Sequence, residues 1–226
     1  MGVWIMKLMP ALPESIFDIG YLIFAISSGS LLTGKGRHHV RLMGIAALVL
    51  GCGDAFHLIP RVLAYWLPGD FTKALGIGKL VTSITMTVFY VLLEYVRIDR
   101  SGTKDKESES MVKIVWGLAA IRIILCLFPQ NAWTDADAPV SWGIYRNLPF
   151  VLTGIMTVIL WIKDARNDSI FRFMPLAVTL SFVFYIPVVV LARSIPMMGM
   201  LMLPKTVMYI WIICMFLKAG RQEEYE

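Results

Sequence analysis

Seven long apolar runs divide the chain, and charged residues, proline or glycine end each of them. They cover about 15–33, 40–67, 73–97, 112–128, 142–162, 172–193 and 199–219. A helix needs about 20 mostly apolar residues to cross a bilayer, and the runs match that length. Ser15, following Pro13 and Glu14, is the expected N-cap of the first helix. The segment before it, MGVWIMKLMP, is too short and too interrupted by proline for a cleavable signal, so the first helix is expected to insert by itself. One run is strongly polar: RSGTKDKESES (100–110) reads as a solvated, mobile cytoplasmic loop.

Composition agrees with the pattern. The 226 residues are 58% hydrophobic and 16% charged, with a mean hydropathy of +0.69. Soluble domains are about 45–50% apolar and about 25% charged. The chain therefore reads as all-α, one polytopic membrane domain over 1–226, with no stretch left for a soluble domain. The isoelectric point near 9.2 points to no nucleic-acid partner, because the exposed Lys and Arg gather in alternate loops. Cys52, Cys126 and Cys214 fall within apolar runs and read as small core residues.

Loop charge sets the expected orientation. Lys35, Arg37 and Arg41 lie between helices one and two. Arg97, Arg100, Lys104, Lys106 and Lys113 surround the third connection, and Lys163, Arg166 and Arg172 the fifth. Lys218 and Arg221 follow helix seven, while the alternate loops are poor in basic residues. The excess of positive charge in cytoplasmic loops predicts N-out and C-in, as expected in a cell (inner) membrane.

The chain also resembles itself at a spacing of about 127. Ile59-Pro60 with Val62-Leu63-Ala64 matches Ile186-Pro187 with Val190-Leu191-Ala192. Gly78-Lys79-Leu80-Val81 matches Pro204-Lys205-Thr206-Val207, and Gly20-Tyr21 falls against Asn147-Leu148. These matches predict two parallel three-helix repeats, 15–97 and 142–219, joined by a linker helix at 112–128. The layout resembles the triple-helix-bundle architecture of SWEET transporters, other PQ-loop proteins and the KDEL receptor. The only Pro-Gln pair is Pro129-Gln130, at the end of helix four. Phe17-Asp18-Ile19-Gly20 and Asn147-Leu148-Pro149-Phe150 stand where that family carries its pair. The resemblance implies a central site between two bundles and a transporter or receptor role.

Five basic residues fall inside the apolar runs: Arg61, Lys79, Arg122, Arg146 and Lys205. Only Asp18 and Asp54 oppose them at similar depth, which leaves three cations for water or an anion to answer. An ionised side chain at the bilayer centre costs about 2.5–3.5 kcal/mol on insertion scales and usually faces a protein interior or a watery cavity. These groups, with His57, Asn147, Tyr185 and Tyr209, sort to one half of the membrane, and the other half is expected to hold almost no polar groups. At about 100° per residue, Asp54, His57 and Arg61 share one face of helix two. Arg61 is expected to pair with Asp54 and set its pKa. Asp18 and Arg193 are expected to snorkel to the interface. Pro60, Pro149, Pro187 and Pro204 allow kinks in the same zone.

The polar set favours some chemistry over other. A lone intramembrane histidine among cations makes a poor metal site. No G-x-S-x-G elbow occurs. Lys205 in the last helix invites comparison with retinal-binding proteins, but it lies near one end and helix three lacks a balancing carboxylate at that depth. No cofactor is expected. The reading favoured is a bilayer protein whose outward cavity binds an anionic small molecule or lipid headgroup, with transport of that anion as the candidate role. Lys79 and Lys205 would grip the anion from both repeats, with Arg122 and Arg146 adding hydrogen bonds and Asp54 and His57 moving a proton. The alternatives are an intramembrane enzyme on an anionic lipid, with Asp54 and His57 as acid and base, and a receptor or sensor.

Overall fold

A computed structural model describes residues 2–35, 37–102, 106–135, 137–165 and 168–223, with the side chains of 2–10 and 106–108 outside that description. Its long helices are α1 (Gly2–Thr33), α2 (His38–Trp66), α3 (Thr72–Ser101), α4 (Lys106–Leu127), α5 (Val140–Ala165), α6 (Met174–Leu191) and α7 (Met202–Gln222). All seven contain a segment long and apolar enough to span a bilayer. Two short 3-10 turns precede α5 and α7, at Pro129–Asn131 and Pro196–Leu201.

Helix packing follows chain order. α2 lies between α1 and α3, and α6 between α5 and α7. α4 packs against both α3 and α5. α7 returns to α1 and α2, which closes the ring, while α3 also touches α5 across it. Lipid tails are as apolar as leucine, so packing and close backbone approach must hold such helices together. Gly29 of α1 faces the Gly44–Leu48 backbone of α2 with no room for a methyl. The centre is aromatic. Phe89 and Tyr90 of α3 meet edge to face at 5.5 Å, Tyr90 meets Phe150 of α5 at 5.2 Å, and Phe150 meets Phe182 of α6 at 4.9 Å. Each such pair contributes about 0.5–1.5 kcal/mol beyond its buried area.

Several expectations change. Ser15 caps nothing: the helix already runs from Gly2, and the Ser15 hydroxyl accepts a hydrogen bond from Trp66 Nε1 at 3.0 Å. Most of the polar run 100–110 is helix, ending α3 and starting α4, because Lys106–Ser110 extend α4 by a polar turn. Residues 103–105, including Lys104, and Arg166 lie outside the described residues. Cys52 and Cys214 face outward, and only Cys126 is a core residue.

The half expected to lack polar groups holds a dense ion-pair network instead. Glu94 of α3 is 1% exposed and accepts a hydrogen bond from Arg97 Nε at 2.8 Å. Arg97 also reaches Asp164 of α5 at 2.5 Å. Arg100 bridges Asp168 at 2.5 Å and Glu223 at 3.3 Å, and His39 pairs with Glu223. Glu94 escaped notice in the sequence because it closes an otherwise apolar helix next to basic residues that read as loop. Asp168 lies outside the spans. Burial raises its pKa, but the Arg100 guanidinium and the N–H groups of Ile170 and Phe171 outweigh that and hold it below the usual carboxylate value.

Candidate functional site

The other end of the bundle carries the connections after α2, α4 and α6, and here the predicted site residues gather. α2 and α7 touch, which brings Asp54 and Lys205 within electrostatic reach of each other. Lys205 is 5% exposed. Its Nζ sits over two rings, 4.7 Å from the Tyr185 centroid and 5.2 Å from that of Tyr209. Rings in that position attract a desolvated ammonium through their quadrupoles. Tyr209 is itself packed edge to face on Phe89 at 5.9 Å.

Asp54 does not pair with Arg61. Tyr21 of α1 donates to Asp54 Oδ2 at 2.7 Å, and Arg61 instead pairs with Glu14 of α1. Helical geometry put Asp54 and Arg61 on one face, but α1 packs along that face and divides them. Asp18 does not snorkel: it is 3% exposed, lies beside Asp54, and its Oδ2 has no partner among the described residues. Glu14, Asp18 and Tyr21 are spaced i, i+4, i+7, a polar stripe on α1 of which the sequence reading counted only Asp18. With Glu14 counted, the excess of cations over carboxylates in this half falls from three to two.

Arg122 of α4 is 2% exposed. Its guanidinium carbon lies 3.3 Å from the Phe150 ring centroid. Nη2 donates to Asn147 Oδ1 at 3.4 Å, and the same oxygen accepts from Tyr185 at 2.7 Å. Nε and Nη1 are buried without a hydrogen-bond partner among the described residues. A guanidinium presents five donors, and leaving such donors unmet in a dry interior is costly. Lys205 makes no ion pair or hydrogen bond to the described residues, so neither of the two most buried cations here meets a carboxylate among them.

The remaining cations are nearer the surface. Lys79 of α3 is exposed, within reach of Arg61 and Arg146. Lys79 and Lys205 therefore differ in setting: one faces outward and the other the bundle interior. His57 lies within electrostatic reach of both, its Nδ1 buried with no hydrogen-bond partner among the described residues. Arg146 is fixed by the loop after α4: it donates to Asn131 Oδ1 at 2.8 Å and lies over the Trp133 ring at 4.2 Å. Asn131, next to Pro129-Gln130, in turn donates to the carbonyls of Leu125 and Phe128 at 2.7 and 2.9 Å, which closes the end of α4. Arg193 donates to the Ala138 carbonyl at 3.1 Å and so ties two loops of this end together.

The cations are graded from Lys79, Arg61 and Arg146 at the rim, past His57, to Lys205 and Arg122 inside. Such an arrangement can draw in an anion and meet it with two desolvated donors. Among the described residues, no group of three His, Cys, Asp or Glu could hold a metal. Compared with protein-family models, curated proteins and solved structures, the chain matches none.

Proposed function

We propose that this multi-pass membrane protein binds an anionic ligand between Arg122 and Lys205, and moves it across the bilayer. The single observation behind this reading is Arg122, a buried guanidinium beside the weakly accepting Cys126 thiol, whose Nε and Nη1 meet no oxygen acceptor among the described residues. A carboxylate or phosphate oxygen fits those donors in the fork geometry that guanidinium favours. Lys205 supplies the second charge, and Asp54 with Tyr21 forms the counter-charge that Lys205 faces while the ligand is away. Transport, as against simple binding, rests on the likeness of the helix layout to triple-helix-bundle transporters. The acid–base alternative gains nothing specific: Asp54 is engaged by Tyr21 and faces Lys205, and the neighbours of His57 are Lys79, Lys205 and the Leu75 backbone.

The test is thermal unfolding of purified protein with a panel of carboxylates and phosphates. Arg122→Gln and Lys205→Gln should each weaken the stabilising anion about tenfold to a hundredfold, as losing a charged hydrogen-bond partner does. The double variant should lose less than the sum, because both groups share one ligand. If no anion stabilises the wild type, the reading fails. Counterflow of the bound anion in vesicles then separates a transporter from a receptor.

A further inference from the structure

Between α5 and α6 lies a groove of about 190 Å³, walled by Ile144, Leu148, Val151, Ile186, Val189 and Val190. Its remaining lining residues are Asn147 and Tyr185, which join each other by a 2.7 Å hydrogen bond and stand between the groove and the cations. Asn147 touches Arg122, and the Tyr185 ring carries Lys205. One hydrogen-bonded pair thus separates an apolar, bilayer-facing slot from two buried cations.

The helices beside this pair are built to bend. Pro149 follows Asn147 by two residues in α5, and Pro187 follows Tyr185 by two residues in α6. Each proline removes a backbone donor and relieves its helix of one hydrogen bond at that level. Farther along, Gly154 lies flat under Phe182 with no room for a methyl, which pins α5 to α6 below the groove. The pair can therefore part at the proline level while the contact at Gly154 acts as the hinge.

We infer that the Asn147–Tyr185 pair is a lateral gate, and that the anion is the phosphate headgroup of a membrane lipid whose acyl chain lies in the α5–α6 groove. This rests on the anion-binding reading above and names its ligand class. An acyl chain suits a wall of Ile, Leu and Val, and the phosphate suits Arg122 and Lys205. A water-soluble anion would have no use for the groove.

Native mass spectrometry on protein from mixed phosphatidylcholine–phosphatidylglycerol membranes, together with thermal unfolding in inorganic phosphate, tests the assignment. Wild type should retain phosphatidylglycerol over phosphatidylcholine. Val189→Trp fills the groove from its lipid face and should cut that retention at least about tenfold. Tyr185→Phe, which keeps the ring but removes the gate hydrogen bond, should speed exchange of bound phosphatidylglycerol for added lipid. Arg122→Gln should abolish the preference; should that variant not fold, the two gate variants decide alone. If inorganic phosphate stabilises wild type and Val189→Trp equally while no phosphatidylglycerol is retained, the ligand enters from water: the gate is overturned and the anion site stands. If neither phosphate nor phosphatidylglycerol binds, both fall. Retention that ignores Val189→Trp and Tyr185→Phe marks surface lipid and also overturns the gate.

Discussion

The two ends of this bundle use charge in opposite ways. At one end Arg97, Arg100 and His39 each meet a carboxylate, and a cavity of about 250 Å³ there is lined by Arg97 and Arg100 on one hand and Asp164 and Asp168 on the other. At the other end Arg61 pairs with Glu14 and Arg193 with Asp137 in the loops, whereas Lys79, Arg122, Arg146 and Lys205 make no ion pair with the described residues. A charge removed from water needs a partner, whether that partner belongs to the chain or arrives with a ligand. The matched end reads as a clamp joining α3, α5 and the C-terminal segment. The unmatched end is where we propose the site.

The strongest test of this contrast is Arg97→Met. It strands Glu94 and Asp164 in the matched network and should cost about 3–5 kcal/mol, measured by unfolding in detergent. A loss below about 1 kcal/mol would show that the network does not clamp the fold. Next in size, Gly78→Ala would drive a methyl into the Phe56 carbonyl and push α3 from α2 at the site end. The expected cost is about 1–3 kcal/mol, as for overpacking elsewhere. An unchanged melting temperature would mean that packing does not set the spacing of the site.

Arg122→Gln carries the converse expectation. Without ligand it should change stability by less than about 1 kcal/mol, because it strands no carboxylate. A loss as large as that for Arg97 would make Arg122 a clamp residue and erase the distinction between the ends. The smallest effect concerns pH. The folded state holds the Asp168 pKa below its unfolded value, so its contribution is present above about pH 4 and fades as pH falls through the folded pKa. Melting temperature should drop on acidification from about pH 5 to about pH 3, and drop less in Asp168→Asn. Equal slopes would remove Asp168 from the clamp.

Spacing and hydropathy were enough to place the seven spans, to within a few residues for all but α1 and the start of α4. They also singled out Arg122, Asn147, Tyr185 and Lys205, since a cation or amide inside an apolar run stands out in one dimension. The partner of each was not legible. Helical angle put Asp54 with Arg61, but contact needs the neighbouring helix, and α1 brought Tyr21 to Asp54 and Glu14 to Arg61. Glu94 was hidden by its basic neighbours in sequence, and only the approach of α5 made it one corner of a buried network.

By itself, then, the sequence determined that the chain is a membrane bundle and which side chains would be expensive to bury. Both follow from transfer free energies that each residue carries wherever it sits. The tertiary structure decided which buried charges are answered. Pairing falls off within a few ångströms, and the distance between Arg122 and any carboxylate is a property of packed helices, not of the order of residues along them.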